Sequence, residues 1–120
     1  MEHKLWYDSS NELARLDFMS DFLLSDVAVI KEKLGGMLEG KPFRQIIIQM
    51  SDTGKVENRE TREQSNKALK EAGITDIAFV GGSAANRMIA KVLVKTGVVN
   101  LQGEFFKNVE EAVMWLKSKR

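Results

Sequence analysis

Two short apolar runs constrain the fold of this 120-residue chain more than any other feature. Gln45–Met50 contains three consecutive isoleucines, Ile77–Val80 has the same apolar character, and turn residues follow both runs. A continuous β-branched run predicts a strand that is covered on both faces, as in parallel sheets. Because a helical pattern separates the two runs, they predict strands joined by right-handed helical crossovers, which is the arrangement of an α/β fold.

The rest of the pattern supplies the other elements. Lys4–Asp8 and Glu12–Phe18 are strand-like runs joined through the turn residues 9–11, which predicts an opening hairpin. Helices are predicted from about Asp26 to Leu38, Asn58 to Ala72, Ser83 to Lys95 and from Asn108 onward, and a last strand at Val98–Phe106. We therefore expect a single α/β domain over residues 1–120, with a mixed, mostly parallel sheet of four or five strands in the order β-β-α-β-α-β-α-β-α.

Two of the predicted helices carry unusual features. Gly35-Gly36 interrupts the first helix, which either ends there or uses the glycines for close packing. The helix from Asn58 to Ala72 is unusually polar and is followed by Gly73, a residue typical of a helix end. Its expected inner face consists of Thr61, Ser65, Ala68, Leu69 and Ala72, and its expected ion pairs are Glu63–Lys67 and Lys67–Glu71.

Composition excludes several classes of function. Eighteen basic and seventeen acidic residues leave a net charge of +1, which argues against a nucleic-acid partner. With no cysteine and a single histidine, the chain cannot form disulfides, thiol catalysts or sites built from two histidines, and we expect no cofactor or metal. No apolar run is long enough for a membrane span or a signal segment, so the sequence predicts a cytoplasmic domain without stable membrane insertion.

The turn Gly81-Gly82-Ser83 is the first candidate site, because it lies where a buried strand leads into a predicted helix. Backbone N–H groups at such a position bind anions, and open α/β sheets bind ligands at the carboxyl ends of their strands. Arg87 and Lys91 follow on one face of the predicted helix, so Gly81, Gly82, Ser83, Arg87 and Lys91 are candidates for binding an anionic ligand. The alternative is a tight turn with an ordinary N-cap and a solvated outer helix face.

The second candidate site is the loop after the central strand together with the start of the polar helix. A loop in this position often carries function, and a helix that gains little from burial either faces a partner or covers the sheet with small residues. The candidate partner-binding residues are Thr53, Gly54, Lys55, Glu57, Asn58, Arg59, Thr61 and Arg62. Turn hydrogen bonding in the loop is the alternative.

No catalytic residue is predicted. The aspartates are scattered, and none lies in a recognisable catalytic pattern with a Glu, His or Lys. His3 lies too near the terminus to favour as a catalyst. The aromatic residues Trp6, Phe105, Phe106 and Trp115 are more typical of core or edge packing than of a base-stacking platform.

The stretch from Ile46 to Trp115 resembles the SpoIIAA-like family, whose domain is of the STAS type and is related to the CRAL-TRIO lipid-binding domains. The matching features are the buried strand at 46–50, the Gly54-Lys55 loop, Arg62 in the polar helix, Ile77–Gly82, Arg87–Lys91, Phe105–Lys107 and Glu110–Leu116. The aromatic strand followed by the Glu-Glu-Ala…Trp-Leu helix is the most specific piece. The resemblance implies a four- or five-stranded sheet with helices on it, and a role in regulation or small-ligand binding rather than catalysis.

One difference from the STAS-type anti-sigma antagonists concerns their phosphorylated Ser or Thr at the start of the helix after the central strand. A gapless reading places Glu57-Asn58-Arg59-Glu60 at that motif, and Thr61 is the nearest hydroxyl. The sequence thus predicts a module without the usual phosphoswitch. Glu57 and Glu60 supply either a fixed negative charge or simple complementarity to the helix dipole.

These observations favour a non-catalytic, cytoplasmic, STAS-like regulatory module that binds a protein partner. The first alternative is a carrier or sensor of a small apolar or lipid-like ligand, suggested by the CRAL-TRIO kinship and by six Met and six Phe residues. The second is a small hydrolase that acts on an anionic substrate at Gly82-Ser83, with Arg87 as the anion clamp. An exposed sheet edge can also pair with another, so a homodimer is a further expectation.

Overall fold

The computed structural model of the chain describes residues 3–51, 57–82 and 102–120. Within these ranges the elements are β1 (Lys4–Asp8), β2 (Leu13–Asp17), α1 (Leu24–Leu38), β3 (Gln45–Met50), α2 (Arg59–Glu71), β4 (Asp76–Gly81), β5 (Gln102–Phe106) and α3 (Val109–Ser118). No helix in the described ranges is long and apolar enough to cross a membrane. The predicted helix at 83–95 and the start of the last predicted strand, at 98–101, lie outside the described residues.

The strands form one five-stranded sheet in the order β1-β2-β3-β4-β5. β1 pairs with β2 antiparallel, and the pairs β2–β3, β3–β4 and β4–β5 are all parallel. The predicted α/β domain with a mixed, mostly parallel sheet is therefore confirmed, with five strands. The opening hairpin and the central strand at Gln45–Met50 lie where the sequence predicts them.

Helices cover both faces of the sheet, which is why the two central strands are apolar throughout. On one face, α1 and α2 pack over a core that includes Leu16, Ile48 and Phe79. On the other face, α3 packs over a smaller core around Ile47 and Val80. Adjacent residues of β3 point to opposite faces, so the Ile46-Ile47-Ile48 run supplies both cores at once.

Helix α1 differs from the prediction at its start and at its glycine pair. It begins at Leu24 rather than Asp26, because the Asp26 carboxylate accepts the Leu23 N–H at 3.0 Å and caps the helix from inside its first turn. It also continues through Gly35-Gly36 to Leu38, and no described atom lies within 4 Å of a Cβ built on either glycine, so both expectations for this pair are wrong.

The buried stripe of α1 explains why the glycines do not end the helix. Val27, Ile30, Leu34 and Leu38 are all buried, as the periodicity predicts. Each such side chain contributes roughly 1.5–3 kcal/mol on burial. Each glycine costs only about 1 kcal/mol relative to alanine. Burial therefore outweighs the poor helix propensity of the pair.

Helices α2 and α3 begin at the predicted caps. The Asn58 side chain accepts the Thr61 N–H at 2.9 Å, and the Asn108 side chain accepts the Glu111 N–H at 2.9 Å. Gly73 ends α2 with a φ of +78°, a left-handed conformation that favours glycine. All three predicted boundaries are thus confirmed.

The inner faces of these two helices also agree with the sequence pattern. On α2, Thr61, Ala68 and Ala72 are buried and Leu69 is partly buried against the core. On α3, Ala112 and Leu116 are fully buried, with the partly buried Val109 and Val113 beside them.

The glutamates of α2 have other ion-pair partners than predicted. Glu63 binds Arg59 at 3.0 Å, and Glu71 binds Lys31 of α1 rather than relying on Lys67 alone. The ion pair between Lys31 and Glu71 joins α2 to α1, whereas a pair within one helix would stabilise that helix alone. The hydrogen bond from Lys31 is the main cause that lowers the pKa of Glu71, and the charges of Lys31 and Lys67 add to it.

Candidate functional site

The carboxyl ends of the four parallel strands meet at one edge of the sheet. β2 ends at Asp17, β3 at Met50, β4 at Gly81 and β5 at Phe106. β1 is antiparallel to β2, so it begins at this same edge with Lys4 opposite Asp17. Open α/β sheets bind their ligands at this edge, and the described residues of both predicted sites lie next to it.

A buried histidine organises the segment that follows β2. The Nε2 atom of His3 lies 3.1 Å from Oδ2 of Asp26, and its Nδ1 atom accepts the Met19 N–H at 3.1 Å. The ring contacts those of Phe18 and Phe22 and is only 5% exposed. Since Nδ1 accepts a hydrogen bond, Nε2 carries the hydrogen and donates a hydrogen bond to Asp26.

This histidine–aspartate pair works as a structural tie. Both ring nitrogens are engaged and the ring is buried, so no free nitrogen faces a substrate as a general base requires. His3 joins the start of the chain to the first turn of α1 across 23 residues of sequence. The sequence gives no sign of this structural role, because nothing local pairs His3 with Asp26.

Glu57 caps helix α1 from outside. Its Oε2 atom accepts the Leu24 N–H at 2.7 Å, and its own N–H donates to the Phe22 carbonyl at 2.8 Å. The Glu57 side chain therefore complements the dipole at the start of α1, whereas the sequence suggested complementarity at the start of α2. Asp26 and Glu57 together satisfy the N–H groups of Leu23 and Leu24.

The burial of Thr61 removes this residue from the predicted partner-binding set. It is fully buried, and its hydroxyl donates to the Asn58 side chain at 2.9 Å. It therefore belongs to the inner face of α2 and does not form part of an exposed surface.

The other described members of that set lie at or near the surface. Glu57, Asn58 and Arg59 are exposed, and Arg62 is half-buried. The Arg59 side chain is 84% exposed and binds Glu63. Thr53, Gly54 and Lys55 lie outside the described residues.

Two large apolar side chains are exposed in the segment that Glu57 contacts. Leu23 is 43% exposed and Met19 is 54% exposed, and both belong to the segment between β2 and α1. Glu57 binds the residues on each side of Leu23, as described above, which brings this segment against the start of α2. We call Met19, Leu23, Glu57, Asn58 and Arg59 the Leu23 surface.

The predicted anion site has a packing explanation for its glycines. Gly81 and Gly82 have φ values of +73° and +86°. A Cβ on Gly81 would lie 2.6 Å from the Gln49 amide nitrogen, and a Cβ on Gly82 would lie 2.8 Å from the Met50 Cβ. Side chains of β3 thus fill the space next to both glycines. Ser83, Arg87 and Lys91, the other predicted members, lie outside the described residues.

The aromatic residues pack as predicted. The rings of Phe79 and Phe105 stack at 5.1 Å within the larger core, and those of Phe106 and Trp115 meet at 5.5 Å on the opposite face. Trp6 lies on the edge strand under the Arg15 guanidinium, which is 5.0 Å from its ring centre.

Fold and site together define an α/β protein with a five-stranded mixed sheet and a partly apolar surface at the carboxyl ends of its strands. In the ranges that the structure describes, no group of three or more His, Asp or Glu side chains is arranged to hold a metal ion. Comparison of the sequence with protein-family models and with curated proteins gave no match.

Proposed function

We propose that this protein is a non-catalytic, cytoplasmic regulatory module of the STAS-like type that binds a protein partner through the Leu23 surface. The observation that carries the proposal is the exposure of Leu23 and Met19 beside the charged start of α2. An apolar centre with a polar rim is the usual anatomy of a protein interface. Exposed large apolar side chains that cluster at one place are typical of such sites.

The backbone beneath the Leu23 surface is held firmly. Asp26 and Glu57 accept the N–H groups of Leu23 and Leu24, and His3 accepts that of Met19. A surface that is already ordered loses less conformational entropy on binding, which favours affinity. These hydrogen bonds support a preformed docking surface.

The charge of this surface supports constitutive binding. Glu57 is an exposed acidic residue at the position where the STAS-type antagonists that this sequence resembles carry a phosphorylatable motif, and the Thr61 hydroxyl is buried. A partner would therefore meet a fixed negative charge, without a kinase to supply it. Both nitrogens of the one histidine are occupied by structural hydrogen bonds, which supports a non-catalytic role.

The test compares exposed apolar residues on and off the proposed surface. In Leu23→Ser the new hydroxyl stands at the N-cap of α1, where serine is favoured, so the melting temperature should be kept or raised. Met114→Ser removes an apolar side chain that is 72% exposed on α3 and serves as the matched control. Tagged proteins are used to capture partners from cell extract, and the captured proteins are identified by mass spectrometry.

The expected result is a protein that is retained by the wild type and by Met114→Ser but is lost with Leu23→Ser. Arg59→Glu should also lose it, because that change reverses a charge at the rim of the surface. The proposal is overturned if Leu23→Ser and Arg59→Glu, both folded, retain every protein that the wild type retains.

A further inference from the structure

β1 is an edge strand of unusual composition. It lies at the end of the strand order, and no other described strand pairs with its outer side. Its five residues read Lys-Leu-Trp-Tyr-Asp, with a basic residue first and an acidic residue last. An edge of this kind presents a row of N–H and C=O groups that can pair with another strand.

The two faces of β1 differ in character. Lys4, Trp6 and Asp8 point to one face, and Leu5 and Tyr7 point to the other, where they pack against the larger core. Trp6 remains 37% exposed although Arg15 lies over its ring. The Asp8 carboxylate is held in place by the N–H groups of Ser10 and Asn11, at 3.1 and 3.2 Å.

We propose that β1 is a homodimerisation edge that pairs antiparallel with β1 of a second copy, in a register centred on Trp6. In this register Lys4 faces Asp8 of the second copy, and Asp8 faces its Lys4. The two Trp6 side chains face each other on the same side of the sheet, and Leu5 faces Tyr7 of the second copy on the other side. Both charge pairs are attractive, so the strand is complementary to itself about a two-fold axis.

The charges also select this register over others. Centring the pair on Trp6 is the only antiparallel arrangement in which all five residues of β1 face a residue of the second β1. Moving the centre to Tyr7 places Trp6 opposite Asp8 and leaves Lys4 beyond the strand of the second copy. A lysine on an edge strand ordinarily discourages pairing. Here Asp8 of the second copy faces that lysine, so the lysine favours pairing with a second β1.

The interface is short, so the dimer is expected to be weak. Two strands of five residues bury less than the roughly 1,200 Å² that is typical of stable complexes. The dimer should therefore dissociate in a range of roughly 10 µM to 1 mM, where concentration series are practical. This interface shares no residue with the Leu23 surface, so the two proposals can fail separately.

The test is a concentration series by light scattering or sedimentation, in which the wild type should approach twice the chain mass of 13.5 kDa. Lys4→Glu replaces both attractive pairs by repulsive ones and should weaken the dimer at least about tenfold. Lys33→Glu makes the same charge change at an exposed position of α1 and should dimerise as the wild type does.

A mixing experiment tests the pairing itself. Lys4→Glu and Asp8→Lys should each be monomeric alone, yet an equal mixture should form a heterodimer, because both cross-strand pairs then regain opposite charges. Asp8→Lys also loses turn hydrogen bonds, so Lys4→Gln is measured as well and should fall between the wild type and Lys4→Glu. A wild type that stays monomeric throughout the series, or a folded Lys4→Glu that dimerises like the wild type, overturns the proposal.

Discussion

The two ends of the parallel sheet are built in opposite ways. At the amino end, the buried Gln45 side chain donates to the Leu116 carbonyl at 2.8 Å and to Asp76 at 3.2 Å, and accepts from Arg120 at 3.0 Å. Arg120 also donates to carbonyl groups of the hairpin turn, at Asn11 and Glu12. One network thus ties the two central strands, the hairpin and the end of α3 together.

At the carboxyl end, by contrast, polar groups hold a segment in place but leave apolar side chains exposed. Asp26 and Glu57 cap α1 there, while Leu23 and Met19 remain open. A buried network of hydrogen bonds between parts of the chain contributes stability. An ordered surface with exposed apolar side chains can bind another molecule. The contrast supports the proposal that the carboxyl end binds a partner, while the amino end contributes stability.

The most direct test of this difference compares the loss of stability on substitution of the two glutamines of β3. Gln45→Ala should lower the free energy of unfolding by about 3 kcal/mol, because it removes the three hydrogen bonds that the buried Gln45 side chain makes with Asp76, Leu116 and Arg120. Gln49→Ala, at the other end of the strand, removes one bond within the described part of the chain, to the Val80 carbonyl, and should cost about 1 kcal/mol. Chemical denaturation measures both.

Equal losses for the two glutamine variants would contradict the division between the ends. So would a larger loss for Gln49→Ala, since that side chain is only half-buried whereas Gln45 is 2% exposed.

The second prediction concerns the glycines at the carboxyl end. Gly82→Ala should cost about 2 kcal/mol, because its positive φ strains an L-residue and its Cβ would meet the Met50 Cβ. Gly40→Ala is the matched control: its φ is +73°, but no described atom lies within 4 Å of the new Cβ, so it should cost only about 1 kcal/mol.

The difference between these two variants isolates the close packing of Met50 from backbone strain. Thermal and chemical unfolding measure both variants. If Gly82→Ala costs no more stability than Gly40→Ala, Met50 does not fill the space beside Gly82 in solution. That outcome would support the predicted ligand site at this turn.

Local patterns were sufficient to predict most of the fold. The isoleucine run of β3 and the caps Asn58 and Asn108 each depend on residues a few positions apart, and the structure confirms all of them. The inner face of α2 was predicted for the same reason. Thr61 was nevertheless assigned to two roles at once, an inner-face position and a partner-binding residue, and only the first is correct.

The sequence did not predict the long-range polar contacts. Gln45 binds Leu116 and Arg120 across 71 and 75 residues, and Glu57 binds Leu24 across 33. No periodicity or motif links such pairs, because the sheet brings them together only after the chain has folded. The exposure of Leu23 was missed for a related reason, since a leucine next to a helix start is ordinarily expected to be buried.

The smallest predicted effect is a pH dependence at Asp8, which lies at the amino end beside Leu13. Burial is the largest influence on this carboxyl and raises its pKa. The hydrogen bonds from Asn11 and Ser10 and the charge of Arg15 together outweigh burial, so the pKa of Asp8 lies below its ordinary value of 3.8. A carboxyl whose pKa is lower in the folded state stabilises that state above its ordinary pKa, and this contribution disappears as the pH falls through the folded-state pKa.

Asp8→Asn keeps an oxygen acceptor for the turn but has no charge, so its stability deficit relative to the wild type should be constant near neutral pH and shrink below about pH 3.8. Urea denaturation at neutral and acidic pH measures the deficit, with Glu32→Gln on the exposed side of α1 as the control for losing one negative charge. A deficit that stays constant or grows in acid would mean that the turn, and not the charge of Asp8, is what the substitution disturbs.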